Sequence, residues 1–201
     1  TRLQGDWSSD VCSSDLTALA LTLTRPTRIA HALIEVGTLV LGPLYIGAMM
    51  ATIPLMLDTG TRSQGAGLVL LTLMVAWLSD TIAMGVGKAL GGPKLYPAVS
   101  PNKTWSGAFG GLTGSMLGAA IAHFGYLPSL PLGRGIVVAA VAGAVGQAGD
   151  LCESVLKRAA GVKDSGAVLP GHGGFLDRID ALTFAAATMY LALRAGWLHL
   201  G

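Results

Sequence analysis

A dense group of ionisable side chains lies within residues 149–180 of an otherwise apolar chain. The group combines carboxylates and basic residues with a histidine: Asp150, Glu153, Lys157, Arg158, Lys163, Asp164, His172, Asp177, Arg178 and Asp180. Carboxylate oxygens are preferred ligands of Mg²⁺, and lysine and arginine bind phosphate oxygens. The combination predicts a metal-assisted phosphoryl-transfer site.

The rest of the chain has the composition of a membrane protein. Of its 201 residues, 52% are hydrophobic and 12% are charged. A soluble domain carries about 25% charged residues. The net charge of +2 is too small to predict nucleic acid binding. Cys12 and Cys152 form no disulfide framework.

Long apolar runs predict an all-α, polytopic integral membrane bundle with about five to six transmembrane helices in this fragment. We predict five spans, at residues 29–57, 66–86, 105–126, 135–156 and 181–198. Residues 1–15 are polar and without helical period, so we interpret them as a non-native segment and 16–201 as the membrane-embedded domain. We expect the native protein to begin earlier.

Positively charged residues predict how the spans are oriented. With Arg25 and Arg28 on one side, nine lysines and arginines lie on that side and three lie opposite. Positive residues are enriched in cytoplasmic loops. The loops at 88–105 and 157–180 are therefore predicted to be catalytic loops facing the cytoplasm.

Polar residues within the spans indicate an internal site. Asp80 follows Ser79 near the end of the second span. Gln147, Asp150, Ser154 and Lys157 are spaced by three and four in the fourth span. They therefore share one helix face, and exposing that face to lipid would be energetically unfavourable. A hydrated cavity is the functional interpretation, and buried pairs that join helices are the structural one.

Two glycine patterns in the third span predict a helix-packing face. Gly107 and Gly111 are four residues apart, as are Gly110, Gly114 and Gly118. This spacing lets two membrane helices approach closely. In the charged segment, by contrast, glycines at 166, 171, 173 and 174 leave backbone amides accessible to phosphate oxygens. No P-loop motif is present in the sequence.

The motifs resemble those of one enzyme family. The matching stretches are SVLKR (154–158), KDSG (163–166) and PGHGGFLDRID (170–180), together with WLSDT (77–81) and SPNKTW (100–105). They resemble the phosphatidate cytidylyltransferases, also called CDP-diacylglycerol synthases. The resemblance implies a Mg²⁺-dependent nucleotidyltransferase that converts CTP and phosphatidate into CDP-diacylglycerol and pyrophosphate. It allows a second, monovalent cation and a homodimer.

The same resemblance implies roles for individual residues. Metal ligands would be Asp150, Asp177 and, less directly, Asp180. The catalytic group would be Asp150, Lys157, Arg158, Asp177 and Arg178. Substrate binding would fall to Ser79, Asp80, Ser100, Lys103, Thr104, Ser154, Lys163, His172, Gly173 and Gly174. The implied location is the bacterial inner membrane, with the active site facing the cytoplasm and the lipid bilayer supplying phosphatidate.

Other functions stay open at this point. A transporter could place Asp80 and Asp150 in a midplane cavity, although it has no need of a basic, glycine-rich loop. A CTP-dependent polyprenol or lipid kinase would release CDP rather than pyrophosphate. A CDP-alcohol phosphotransferase fits less well, because Asp177 and Asp180 are only three residues apart.

Overall fold

The structure, a computed structural model, describes residues 45–159, 161–162 and 176–200, but not the side chains of residues 176–178. The elements below belong to the unit Met49–Gly201, and residues 1–48 form a separate unit. Most of the described chain is helical. The elements in order are α1 (Thr52–Leu57), α2 (Arg62–Leu90), β1 (Lys94–Tyr96), β2 (Ser100–Thr104), α3 (Trp105–Gly125), α4 (Leu132–Ala159) and α5 (Leu176–Arg194).

Local sequence signals set the start and end of α2. Thr61 and Gln64 form a capping box: the Thr61 hydroxyl accepts from the Gln64 backbone N–H at 3.3 Å, and the Thr61 N–H donates to Gln64 Oε1 at 2.8 Å. At the other end, Gly91 and Gly92 adopt φ values of 62° and 102°. Positive φ favours glycine, so these two residues turn the chain out of the helix.

A short antiparallel hairpin follows α2 within the segment 88–105, which was predicted to be a loop, and it adds two strands to a chain that was predicted to be all-α. Tyr96 pairs with Ser100, and Lys94 pairs with Thr104. Tyr96 and Ser100 each precede a proline, which disfavours the helical conformation and favours an extended one. The two X-Pro steps therefore explain why these residues form strands.

The glycine patterns do mark a helix-packing face, as predicted. A Cβ atom on Gly114 would lie 2.5 Å from the Leu78 backbone oxygen on α2. One on Gly107 would lie 2.8 Å from the Ala83 oxygen. The missing side chains therefore allow α2 and α3 to pack backbone against backbone.

The apolar core fills one half of the bundle. It includes Met56, Leu68 and Leu71 from α1 and α2, together with Ala142 and Met189 from α4 and α5. Gln64 Nε2 at the start of α2 donates to the Leu200 backbone oxygen at 2.7 Å and joins the two chain segments at this end. The polar residues predicted to form the site lie toward the other half.

Among the described residues, two helices are long and apolar enough to cross a membrane: Arg62–Leu90 and Leu132–Ala159. They extend beyond both ends of the predicted spans at 66–86 and 135–156. Helix α5 begins five residues before its predicted span at 181 and ends at Arg194, four residues before the predicted end. The first predicted span, 29–57, lies mostly outside the described residues.

Candidate active site

An ion pair joins the two segments that were predicted to form one site. Lys103 Nζ on β2 donates to Asp150 Oδ2 on α4. Both side chains keep about a quarter of their surface exposed, at 28% and 26%. The hairpin and the carboxyl-terminal half of α4 therefore meet at the same end of the bundle. This contact brings together residues separated by 47 positions.

Three carboxylates converge next to this ion pair. Asp150, Glu153 and Asp180 each offer an oxygen, and these oxygens all lie within 4.8 Å of one another. Glu153 is only 5% exposed, and its Oε1 atom has no hydrogen-bond partner among the described residues. Its other oxygen accepts from Lys157 Nζ at 3.0 Å. A buried, unpaired carboxylate oxygen is unfavourable unless a cation or a proton satisfies it.

The electrostatics of the cluster also favour a bound cation. Asp180 directly precedes the predicted span at 181–198. Burial, a side-chain hydrogen bond with Glu153 and the charge of Asp150 raise the pKa of Asp180 to about 8. The Ala181 backbone N–H donates to Asp180 Oδ1 at 2.6 Å and acts in the opposite direction. Repulsion between close carboxylates disfavours three negative charges at once. A bound cation would remove that penalty.

A cavity of about 780 Å³ lies beside the cluster, and Asp150 belongs to both. Helix α2, the hairpin, α3 and α4 all contribute to its walls. Its charged and polar lining residues are Asp80, Lys88, Lys94, Asn102, Lys103, Thr104, Gln147 and Asp150. Its volume is within the range of small-molecule sites, about 300–1,000 Å³.

Several predicted site residues hold the walls together. Gln147 Nε2 donates to Ser79 Oγ at 3.4 Å and to the Ala108 backbone oxygen at 3.2 Å, so it links α4 to α2 and α3. Thr104 is 6% exposed, and its hydroxyl accepts from the Gly107 N–H at 3.1 Å to cap α3. Ser100 is the first residue of β2 and is half-buried.

The basic end of α4 lies next to the hairpin. Arg158 Nε donates to the Val99 backbone oxygen at 3.5 Å. Lys157 lies one helical turn after Glu153 and pairs with it, while Ser154 is half-buried between them. The four predicted residues of the α4 stripe thus remain on one helix, but only Gln147 and Asp150 line the cavity.

The remaining predicted residues lie wholly or partly outside the described part of the chain. Lys163, His172, Gly173 and Gly174 are outside it. Asp177 and Arg178 are in the first turn of α5, but their side chains are not described. The predicted pairing of Asp150 with Asp177 around a cation therefore stays a prediction.

Sequence reasoning missed Glu153 as a member of the acidic cluster. The prediction considered the helix face that contains Gln147, Asp150 and Ser154. Glu153 lies on the same turn of α4 but points toward Asp180. The available signal was the spacing of three between Asp150 and Glu153, which puts the two carboxylates on neighbouring positions of a helix surface. Lys88 and Lys94 were noted only as loop charges, yet both line the cavity.

Comparison with known proteins identifies the family. The sequence model of the Cytidylyltransferase family matches residues 5–195. This chain belongs to the cytidylyltransferase family. The match begins well before the first of the motifs described above, at 77–81, and includes part of the segment 1–15. The domain boundary at residue 15 stays a prediction.

Two relatives of this cytidylyltransferase-family chain are both called phosphatidate cytidylyltransferase. The protein from Brucella abortus biovar 1 (strain 9-941) is 45% identical over 151 residues, which are 75% of this chain and 54% of that protein. The protein from Staphylococcus haemolyticus (strain JCSC1435) is 35% identical over 192 residues, 94% of this chain and 72% of that protein. The chain thus matches about half the length of the Brucella relative.

Proposed function

We propose that this chain carries the active site of an enzyme that transfers the cytidylyl group from CTP to phosphatidate. The products are CDP-diacylglycerol and pyrophosphate, so the enzyme acts in phospholipid biosynthesis. One observation carries the proposal: Asp150 is shared by an acidic cluster and by a cavity lined with lysines. A site of this kind suits a metal-bound nucleotide, and the relatives named above are called phosphatidate cytidylyltransferases.

The cluster has the ligand chemistry of a Mg²⁺ site. Asp150, Glu153 and Asp180 would hold the ion, with Asp177 as a further predicted ligand. Their oxygens are the hard donors that Mg²⁺ prefers, and Glu153 Oε1, which has no hydrogen-bond partner among the described residues, would be satisfied by a cation. When bound, the ion would offset negative charge that develops on the phosphates.

The reaction needs positioning more than acid–base chemistry. A phosphatidate oxygen attacks the α-phosphorus of CTP, a new phosphorus–oxygen bond forms, and the bond to the bridging oxygen of the β-phosphate breaks. The attacking oxygen is already anionic, so no strong general base is required. Lys103 in the cavity and Arg158 beside the hairpin would orient phosphate oxygens, and exclusion of water would strengthen these contacts.

The packing of α3 supports a membrane location. Its buried residues are small, including Gly110, Gly114 and Ala119, whereas Phe109 and Phe124 are 62% and 77% exposed. Small residues inside and bulky apolar residues outside are typical of helices surrounded by lipid. We therefore propose that the chain is part of a bundle of five to six transmembrane helices in the bacterial inner membrane.

The position of the site suits its two substrates. Phosphatidate resides in the bilayer, and CTP arrives from water. The positive-inside prediction orients this end of the helices toward the cytoplasm. A site there would be accessible to both molecules. The homodimer and the second, monovalent cation stay predictions, which light scattering and an ion-dependence series would test.

Product analysis with the full-length protein in membranes tests the proposed function. CTP radiolabelled in its cytidine, together with phosphatidate and Mg²⁺, should yield labelled CDP-diacylglycerol and unlabelled pyrophosphate, and a chelator should stop the reaction. A lipid kinase would release labelled CDP and phosphorylate its lipid. A transporter would show no turnover of CTP. Either of those results would contradict the proposal.

A further inference from the structure

Two lysines outside the predicted site residues line the same cavity. Lys88 lies in the last turn of α2, and Lys94 is the first residue of β1. Both are exposed, and within the described ranges neither has an ion pair or a side-chain hydrogen bond. Lys103, in contrast, is paired with Asp150. The cavity therefore contains two positive charges with no partner in this part of the chain.

The geometry of α2 separates these charges from the acidic end. Asp80, Met84, Lys88 and Gly91 recur at intervals of three and four and all line the cavity. One face of α2 thus forms a long wall. At 1.5 Å per residue, Lys88 lies about 12 Å along the helix axis from Asp80. Lys94 extends the same wall onto the hairpin, where it pairs with Thr104.

We propose that Lys88 and Lys94 bind the β- and γ-phosphates of CTP, the part of the nucleotide that leaves as pyrophosphate. This assignment rests on the proposed function. If the reacting phosphate lies at the acidic end near Asp150, the other two phosphates must extend away from it along the cavity. Unpaired ammonium groups beyond that end provide the charge that a polyphosphate needs, and flexible lysines can follow it.

The charge of the alternative ligand fits the two lysines less well. The phosphate of phosphatidate is a single monoester, and it must come to the acidic end to react. The terminal phosphates of CTP carry more negative charge and lie beyond the reacting atom. Retention of pyrophosphate by the same two lysines would also make it a product inhibitor. The lysines would therefore act on nucleotide affinity and not on lipid affinity.

Comparing CTP with CMP isolates this contact, because CMP lacks the β- and γ-phosphates. Binding of each nucleotide to the purified full-length protein is measured by calorimetry in the presence of Mg²⁺. Lys88→Ala and Lys94→Ala should each weaken CTP binding about tenfold and leave CMP binding within about twofold. Lys88→Arg should retain most of the CTP affinity. Inhibition by pyrophosphate should weaken in parallel with CTP binding.

Arg134→Ala is the matched control, because Arg134 is an exposed cation in the first turn of α4, far from Asp150 on the same helix. It should change neither affinity. Alternatively, Lys88 could serve only to stabilise the carboxyl terminus of α2, because cations interact favourably with the negative end of a helix dipole. That role would lower thermal stability and alter CTP and CMP binding equally, which would overturn the proposal.

Two further results would also overturn it. One is a CTP-to-CMP affinity ratio that stays within about twofold of wild type in both alanine variants. The other is an increase in KM for phosphatidate with no change in KM for CTP, which would assign the lysines to the lipid. A wild-type protein that forms no CDP-diacylglycerol would defeat the proposed function itself, so the two failures are distinguishable.

Discussion

Lys103 on β2 forms an ion pair with Asp150 on α4, and both residues line the cavity of the candidate site. Asp150 also contributes to the carboxylate cluster with Glu153 and Asp180. The pair therefore connects the cavity to the cluster. Its lysine partly neutralises a carboxylate that would otherwise repel two neighbours.

Asp150→Asn should reduce CDP-diacylglycerol formation by about 100-fold or more, because it removes a charged group from both the cluster and the cavity. Lys103→Met should have a smaller effect, about tenfold, and Lys103→Arg should recover part of the loss. Radiolabelled CTP incorporation measures all three. Asp58→Asn is the matched control, since Asp58 is exposed in the turn after α1. Full activity in Asp150→Asn would exclude the proposed site.

Glu153→Gln should raise the Mg²⁺ concentration needed for half-maximal activity by about 10- to 100-fold. The reason is that Glu153 is buried beside Asp150 and Asp180, and in the part of the chain that the structure describes its Oε1 atom has no hydrogen-bond partner. A Mg²⁺ titration of turnover measures this requirement. Glu153→Asp should need a Mg²⁺ concentration between those of the wild type and Glu153→Gln.

Lys157→Met separates metal binding from structural support, because it breaks the ion pair with Glu153 but keeps the carboxylate. Lys157→Met should destabilise the protein without the large change in Mg²⁺ requirement that is expected for Glu153→Gln. If Glu153→Gln and Lys157→Met shift the Mg²⁺ titration equally, the Glu153 carboxylate acts only through its ion pair.

The helices α2 to α4 could be predicted because apolar runs of sufficient length are visible without any partner. The ends of α3 were predicted to within one residue, but α2 extends four residues beyond its predicted span at each end, to the Thr61 cap and to Gly91. The hairpin was missed because its strands are short and polar. Only the prolines at 97 and 101 indicate extended backbone.

Only part of the candidate site could be predicted, because some of its contacts depend on how the helices and the hairpin pack together. Lys103 is in the SPNKTW motif and Asp150 is in the polar stripe of α4, and their contact follows once both loops share one end of the bundle. The spacing of three predicts that Glu153 lies near Asp150, but its approach to Asp180 depends on the rotation of α4 relative to α5, which no spacing within α4 specifies. Lys88 and Lys94 depend on the shape of a cavity between four elements.

Thr104→Val should lower stability by about 1 kcal/mol, because Thr104 accepts the Gly107 N–H that would otherwise be unsatisfied at the start of α3. Thr104→Ser should retain the cap and the stability. Thermal unfolding in detergent measures both variants. The KM for CTP should then be near wild type in Thr104→Ser. A serine variant with normal stability but a strongly raised KM would instead assign the threonine methyl group a place in substrate binding.

Gly114→Ala should destabilise the bundle by about 1–3 kcal/mol, since the added Cβ would lie 2.5 Å from the Leu78 oxygen and force α2 and α3 apart. Gly85→Ala is the matched control: Gly85 is within α2, and a Cβ there meets nothing within 4 Å. That variant should be neutral or stabilise by up to about 1 kcal/mol, because alanine favours helix more than glycine does. Thermal unfolding of the two variants in the same detergent compares them directly. Equal stability would mean that α2 and α3 do not pack through Gly114. Because the cavity lies between these same two helices, loss of stability in Gly114→Ala should be accompanied by weaker CTP binding.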